Sequence, residues 1–193
     1  MKESIVDPRQ QIILTAAWNA FAAYGYRKTS MDDIARGADM SRPALYLHYR
    51  NKQDIFRTLA QLHFDHACVA VATALAATGT PSDQLTAAFM AQGGKVLEVM
   101  LNSPHGMELL DTTTATAADI VLDGEARLQE EFAMWLTRLE ATDHGHLNGS
   151  AHEVAATLLA GLKGLKMAGT DYAVYQKRVG LLGAMLGSGL MAS

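Results

Sequence analysis

The sequence has little of what marks several protein classes. Its 193 residues include one cysteine, four prolines and 7% aromatic residues. The lone Cys68 cannot form an internal disulfide, which favours the reducing cytoplasm as the location. No run reaches 18 consecutive apolar residues, so we expect no membrane-spanning segment and no membrane partner. Glycine and proline together are too few for a disordered or fibrous chain.

Positive charge is scarce overall but unevenly distributed. The formal net charge is −4, which is not typical of a nucleic-acid binder. However, residues 1–65 contain nine Lys and Arg against seven acids, while residues 66–193 contain seven against 13. This asymmetry favours a small basic module attached to an acidic body.

The apolar pattern predicts an all-α fold of about nine helices, because alternating β-branched runs are missing. Asp7, Ser30, Ser41 and Asn51 are good N-caps for the first four helices. The fourth is predicted over 52–77. Five more are predicted at 83–101, 105–111, 117–141, 151–168 and 171–187. Gly124 leaves open a later start for the helix at 117–141.

Residues 31–49 predict two short helices joined by Asp39-Met40-Ser41. Apolar positions on both helices fit one core that the first helix covers, which is the pattern of a helix-turn-helix. In that motif the second helix enters the DNA major groove. We therefore expect base contacts from Arg42, Pro43 and Ala44, backbone contacts from Tyr46 and His48, and phosphate contacts from Thr29, Ser30, Ser41 and Lys52.

These residues also carry a family resemblance. The segments Thr29-Ser30-Met31-Asp32-Asp33-Ile34-Ala35, Met40-Ser41-Arg42-Pro43-Ala44-Leu45-Tyr46-Leu47-His48-Tyr49 and Asn51-Lys52 resemble the DNA-binding domain of the tetracycline-repressor (TetR) family. The resemblance covers roughly residues 9–57. Asp39 stands where the family usually has a turn glycine, which implies a left-handed backbone at a residue that tolerates it less well. Tyr49 stands where Phe is more common.

The resemblance implies a DNA-binding domain over residues 1–60 and a helical domain for ligand binding and dimerisation over residues 61–193. Small residues recur three or four apart in the last two predicted helices, which favours close helix–helix approach. A symmetric homodimer through these helices is the interpretation we prefer, with close packing inside one subunit as the alternative. Its predicted interface consists of Leu158, Gly161, Leu162, Leu165, Val179, Leu182, Gly183 and Leu186.

Methionine and aromatic residues on the central helices predict a pocket for an apolar effector, a small molecule whose identity the sequence does not give. The same spacing is more often that of ordinary core. The candidate pocket residues are Phe89, Met90, Met100, Met107, Leu110, Met134 and Trp135.

No catalytic motif or phosphate-binding glycine loop is present, so we expect neither an enzyme nor a cofactor. His63 and His66 are three residues apart, and His144, His146 and His152 lie near one another, but their spacing supports at most two metal ligands, so we expect no metal site. The sequence therefore predicts a ligand-responsive transcriptional regulator that binds a near-palindromic duplex as a dimer, more often a repressor than an activator. A helical protein-interaction scaffold without specific DNA binding is the alternative.

Overall fold

The computed structural model describes residues 7–142, 146–168 and 171–190, and within these ranges the chain is all-α. The predicted fold class is confirmed. The nine helices in these ranges are α1 (Pro8–Tyr24), α2 (Met31–Gly37), α3 (Arg42–Tyr46), α4 (Lys52–Ala76), α5 (Pro81–Asn102), α6 (Gly106–Thr116), α7 (Ala118–Glu140), α8 (Ala151–Lys166) and α9 (Tyr172–Gly189).

The predicted N-caps act as expected. The side chains of Asp7, Ser30 and Ser41 accept hydrogen bonds from main-chain N–H groups in the first turns of α1, α2 and α3. Asn51 Oδ1 accepts from the N–H of Asp54 at 2.9 Å. Because each cap satisfies an N–H that the helix leaves without a partner, local sequence determines where these four helices begin.

The central helices differ from prediction in their details. Helix α7 runs through Gly124, where the absent side chain leaves room for the ring of Phe64. Helix α5 is interrupted at Gly94, which has φ 53°. Helix α6 extends to Thr116, five residues beyond its predicted end, and the hydroxyls of its threonines donate to carbonyls four residues earlier.

The described chain forms two compact units. Unit 1 comprises residues 1–62 and 102–121, and unit 2 comprises residues 63–101 and 122–193. The predicted functional division at residue 60 stays a prediction. The structure adds that α6, which the sequence interpretation placed in the C-terminal domain, belongs to the compact unit that contains the helix-turn-helix.

Unit 1 has a small core of its own. Ile13, Leu14 and Phe21 of α1 are buried together with Ile34 of α2 and Leu45 of α3. The rings of Phe21, Tyr26 and Phe56 pack in tilted and edge-on arrangements with centroids 5.1–5.6 Å apart. Two short helices cannot bury a core alone, and α1 and α4 supply the missing surface as the motif requires.

Helix α6 is attached to this core by polar contacts. Ser103, just before α6, donates to the carbonyl of Ala22 at 2.7 Å. Glu108 accepts from the main-chain N–H of Arg27 at 2.8 Å. Arg57 of α4 forms a bidentate ion pair with Asp119, with distances of 2.7 and 2.6 Å.

Unit 2 is built from longer helices whose apolar faces meet. Its buried side chains include Phe89, Leu128, Phe132, Tyr175 and Val179. By length and composition α4 could cross a membrane, and a third of the qualifying window is buried inside the protein. One such helix is weak evidence for a membrane span, because core helices of soluble proteins pass the same test.

Candidate nucleic-acid interface

The turn between α2 and α3 has the geometry that the sequence predicted. Asp39 is the one non-glycine residue with positive φ, 52°, among those that the structure describes. The N–H of Met40 donates to the carbonyl of Ala35 at 3.0 Å, which closes the turn behind it. The left-handed conformation at Asp39 is therefore confirmed, and it is what allows α3 to leave α2 at an angle.

Helix α3 presents one side to solvent and one side to the core. Leu45 is fully buried and Tyr49 is 7% exposed. Ser41, Arg42 and Pro43 are exposed, whereas Ala44 and His48 are half-buried. Tyr46 is 42% exposed. The outer side of α3 thus brings together six of the nine residues for which DNA contacts were predicted, and these contacts stay predictions.

Arg42 is held in a defined position on this outer side. Its Nη1 lies 3.1 Å from Oδ2 of Asp32 in α2, and its Nη2 donates to the hydroxyl of Tyr46 at 3.4 Å. The guanidinium carbon is 5.6 Å from the centroid of the Tyr46 ring. The hydrogen bond to Tyr46 and the charge of Asp32 raise the pKa of Arg42, so the guanidinium is charged at any physiological pH.

The hydroxyl of Ser30 is exposed, but it already takes part in two hydrogen bonds with Asp33. Its Oγ donates to Asp33 Oδ2 at 2.6 Å and accepts from the N–H of Asp33. These bonds lower the pKa of Asp33. Ser41 differs, because its Oγ only accepts from the N–H of Ala44 at 3.3 Å, which leaves its own proton for a phosphate oxygen.

Thr29 and Lys52 occupy positions that the sequence interpretation did not expect. Thr29 is 2% exposed, and its hydroxyl donates to the carbonyl of Gly25 at 2.7 Å. Lys52 Nζ donates to the carbonyls of Tyr26, Arg27 and Thr29 at 2.7, 3.0 and 2.9 Å. An ammonium has three donors, so all those of Lys52 are used within the module.

Both residues therefore support the loop between α1 and α2, and their predicted phosphate contacts stay predictions. Burial lowers the pKa of Lys52, as expected for a cation that has left bulk water. A sequence cannot distinguish a lysine that reaches outward from one that reaches back to its own chain. The loop between α1 and α2 could have indicated this contact, because its turn presents several carbonyls in succession.

Other outward residues near α3 escaped the sequence interpretation. Leu47 is 86% exposed at the end of α3, and Arg27, Lys28, Arg36 and Arg50 are exposed on the same module. Position 47 lies between the buried residues 45 and 49, so alternation around the turn could have identified it. The cations add to the phosphate-binding capacity of the module.

The predicted effector-pocket residues are divided between the two units, and the pocket stays a prediction. Met107 and Leu110 belong to unit 1, whereas the other members belong to unit 2. Phe89 is fully buried and its ring is 5.7 Å from that of Phe132, and Trp135 and Met100 are 4% and 7% exposed. These three are core, Met90 is half-buried, and Met107 and Met134 are 48% and 39% exposed.

Unit 2 instead has an open groove of about 580 Å³ on α4, α5 and α7. Of the predicted pocket residues, only Trp135 lines it, and its indole N–H donates to Gln84 Oε1 at 3.1 Å. The groove combines apolar and charged side chains, namely Ala72, Leu75, Ala76, Gln84, Glu131, Trp135, Arg138 and Leu139.

Half of the predicted dimer residues face the chain's own core. Leu158, Leu162 and Val179 are at most 2% exposed, and Gly183 lies against Thr86 of α5. The close approach that the small residues predicted therefore exists, but at Gly183 and Gly187 it occurs within one chain. Leu165, Leu182 and Leu186 are half-buried, and Gly161 is exposed beside Leu182.

The outer face of α8 and α9 is formed by different residues. Leu181 and Met185 of α9 are 56% and 74% exposed, and Met167, just after α8, is 54% exposed. Ala160 and Gly164 of α8 are exposed as well. The helical period places these positions opposite the buried ones. Leu158, Leu162, Val179 and Gly183 pack within the chain itself, and the predicted dimer interface stays a prediction.

The histidines do not converge. Within the described ranges, no group of three or more His, Cys, Asp or Glu side chains could hold a metal ion. His144 lies outside these ranges. His152 instead lies 3.1 Å from Glu130.

Comparison with known proteins agrees with the geometry of α2 and α3. A family model for bacterial regulatory proteins of the tetR family matches residues 13–59. The HTH-type transcriptional activator FasR of Mycolicibacterium smegmatis is 35% identical over 82 residues, which cover 42% of this chain and 37% of FasR. The HTH-type transcriptional regulator YezE of Bacillus subtilis is 27% identical over 152 residues, covering 75% of this chain and 76% of YezE.

A transcriptional regulator from Cytophaga hutchinsonii has the same fold, with a TM-score of 0.78 at 20% identity over 96% of this chain and all of that one. The match to FasR, by contrast, spans little more than a third of that protein. The residues that the family model matches contain the helix-turn-helix with its capped α2, its turn at Asp39 and its exposed α3. Residues 13–59 are thus similar to the tetR family of bacterial regulatory proteins, and the chain as a whole shares the fold of a solved transcriptional regulator.

Proposed function

We propose that this protein is a dimeric transcriptional repressor that binds a near-palindromic operator and is released by a small molecule. The observation that carries the proposal is the exposed side of α3, where Arg42 is held in place by Asp32 and Tyr46. A short helix with an exposed N-terminal arginine fits the major groove. Arg42 contacts a base edge, and Pro43 and Ala44 approach the groove floor.

Phosphate contacts come from the surface around α3. Ser41 retains a free hydroxyl proton, and Tyr46 and His48 lie at the edge of the same surface. The exposed cations Lys28 and Arg50 join them. Because such contacts release counterions, affinity falls steeply with salt. The net charge of −4 does not prevent this, since the basic residues are concentrated on the binding module.

Dimerisation uses the outer face of α8 and α9. Leu181 and Met185 are large apolar side chains that are more than half exposed, which is uncommon at clustered positions on a monomer. Ala160 and Gly164 allow a second copy to approach closely. An isologous four-helix contact would place two α3 helices about 34–36 Å apart, one turn of DNA.

Effector binding is assigned to unit 2. The groove beside Trp135 offers apolar surface together with Arg138 and Glu131, which suits an amphipathic small molecule. Binding there shifts the balance between DNA-binding and released conformations by a coupling free energy of about 1–3 kcal/mol. Trp135 emission provides a direct readout of ligand screening. The protein acts in the cytoplasm, with no membrane partner.

The test is selection of the purified protein on a randomised duplex pool at about 150 mM salt. We expect a recovered palindrome, and we expect Arg42→Ala to weaken binding and relax the preference at one position per half-site. Arg138→Ala, which removes an exposed cation in unit 2, is the matched control and should leave the selected sequence unchanged. Equal affinity of wild type and Arg42→Ala for the selected duplex would contradict the role of Arg42.

The alternative function is a helical interaction scaffold. A scaffold predicts no enriched sequence and no dependence of affinity on salt. A regulator predicts an enriched sequence and an affinity that falls with salt. The oligomeric state, measured as molecular size at several protein concentrations, completes the test. Met185→Glu should convert the dimer to a monomer, and the monomer should keep its helical content.

A further inference from the structure

Asp32 is a carboxylate on the surface that must approach DNA. It stands in the first turn of α2, and its Oδ2 is 3.1 Å from Arg42 Nη1 across the two helices of the motif. The side chains of Asp32 and Arg42 are 51% and 57% exposed. An ion pair so open to solvent contributes little to stability, so the pair is not explained by folding.

The hydrogen bonds at the N-terminus of α2 do not require it either, although an acid in the first turn interacts favourably with the helix dipole. The N-terminus of α2 is already served by the capping box of Ser30 and Asp33, in which each residue bonds to the main chain of the other. Among the described residues, the side-chain partner of Asp32 is Arg42, whose Nη1 donates to Asp32 Oδ2. A negative charge at this place also opposes the approach of phosphates, which is a disadvantage for a surface whose only task is to bind any duplex.

We propose that Asp32 is a specificity-determining residue that reserves Arg42 for a guanine. This inference rests on the proposed function and adds to it the identity of the base. Asp32 takes one N–H of Nη1 and the Tyr46 hydroxyl takes one of Nη2. The remaining N–H groups of the guanidinium form the two parallel bonds that guanine O6 and N7 accept in the major groove.

Asp32 acts in two ways. It fixes the direction of the guanidinium together with the ring of Tyr46, 5.6 Å away, so that little side-chain freedom is lost when the base is bound. It also competes with phosphates for Arg42 when no guanine is present. Discrimination then comes from weakening the wrong complexes as well as from strengthening the right one.

The test compares Asp32→Asn with wild type on two duplexes, the selected operator and a scrambled duplex of equal length. We expect Asp32→Asn to bind the scrambled duplex about 3–10-fold more tightly and to lower the ratio of specific to non-specific affinity about tenfold. The salt slope on the scrambled duplex should become steeper by about one ion, because Arg42 is free to contact a phosphate.

Asp39→Asn is the matched control. It removes one exposed carboxylate from the same module, and asparagine tolerates the left-handed backbone of that turn. If both variants change both affinities by the same factor, Asp32 acts only through net charge and the inference is overturned. Thermal unfolding of each variant, expected within a few degrees of wild type, shows that the module remains folded.

The base is tested directly. The position whose preference is lost in the Arg42→Ala selection is replaced by 7-deazaguanine, which lacks the N7 acceptor. We expect wild type to lose at least fivefold in affinity and Asp32→Asn to lose less. If the lost position is not a guanine, or if the replacement has no effect on wild type, the inference is overturned while the proposed function stands. A wild-type protein without selective, salt-dependent binding would overturn both.

Discussion

The two compact units bring their helices together by different means. In unit 1, polar side chains reach across loops to main-chain groups, as Lys52 does to three carbonyls and Glu108 to the N–H of Arg27. In unit 2, α9 approaches α5 where side chains are missing, since Gly183 and Gly187 lie against the main chain of Thr86 and Ser82. The packing of unit 1 therefore depends on particular hydrogen-bond donors and acceptors. The packing of unit 2 depends on small residues where helices approach.

This difference predicts opposite sensitivities. A substitution in unit 1 should lower its stability when it removes a polar group, even if the side-chain volume is kept. A substitution in unit 2 should lower its stability when it adds atoms, even if no polar group is changed. The two tryptophans allow separate measurement, because Trp18 lies in unit 1 and Trp135 in unit 2.

The largest effect is expected from Lys52→Met. Methionine keeps the length of the side chain and its contact with the Tyr26 ring, 4.6 Å from Nζ, but cannot donate to the three carbonyls. We expect unit 1 to lose about 3 kcal/mol, since hydrogen bonds to a charged donor are the stronger ones. Urea unfolding followed by Trp18 emission in a Trp135→Phe background measures the loss.

The same variant decides between two roles of Lys52. Loss of stability with an unchanged salt slope of operator binding supports the loop-support role. Unchanged stability with a salt slope that is flatter by about one ion would return Lys52 to the phosphate contacts predicted from the sequence. Lys28→Met, which removes an exposed cation from the neighbouring loop, is the control that should show the second pattern.

A smaller effect is expected from Gly187→Ala. The added methyl group would overlap the main chain of Ser82, which cannot move aside like a flexible side chain. We expect a loss of about 1–3 kcal/mol in unit 2. Gly180→Ala in the same helix is the control, because no atom lies within 4 Å of its added methyl and alanine favours the helix by up to about 1 kcal/mol.

Trp135 emission in a Trp18→Phe background reports both variants. If both glycine substitutions stabilise unit 2, or both weaken it equally, then volume is not what limits the contact between α5 and α9.

The comparison also explains which features a sequence can predict. Ser30, Ser41 and Asn51 were identified as caps because a cap acts within three residues of chain. Asp39 was identified through the resemblance, because it stands where the family usually has a turn glycine. Such signals are local, so the motif in unit 1 and the exposed position of Arg42 could be predicted in register.

Features that depend on residues far away in the sequence could not be predicted. Leu158 and Leu181 are both leucines in helices rich in small residues, yet one is buried in its own chain and the other is exposed. Met107 has the composition expected of a pocket residue but belongs to unit 1. Lys52 looked like a phosphate donor because the three carbonyls that it contacts belong to residues more than 20 positions earlier.

The smallest effect that separates the units is their response to acid. Burial, together with the charges of Lys166 and His66, lowers the pKa of His63 in unit 2 to about 4. At pH 7 His63 is neutral in both the folded and the unfolded chain. As the pH falls below 6.5 the unfolded chain binds a proton that the folded chain binds only near pH 4, so stability falls across that window.

Unit 1 has the opposite arrangement. The ion pair with Arg57 lowers the pKa of Asp119 to about 2, so the stability from this carboxylate is fully present above about pH 4 and is lost only as the pH falls toward 2. Between pH 6.5 and 4, unit 2 should therefore weaken while unit 1 does not. At pH 5.5 we expect a loss of about 1 kcal/mol in unit 2.

Unfolding midpoints at pH 7.0 and 5.5, read from Trp135 and from Trp18 in the two single-tryptophan variants, measure this difference. His63→Leu should remove most of the shift in the Trp135 midpoint, whereas His66→Leu, at an exposed position on the next turn of α4, should keep it. An acid shift of the Trp135 midpoint that survives His63→Leu would assign the sensitivity to another group. Equal shifts at both tryptophans would mean that the two units unfold as one, and the distinction between them would then hold for packing but not for stability.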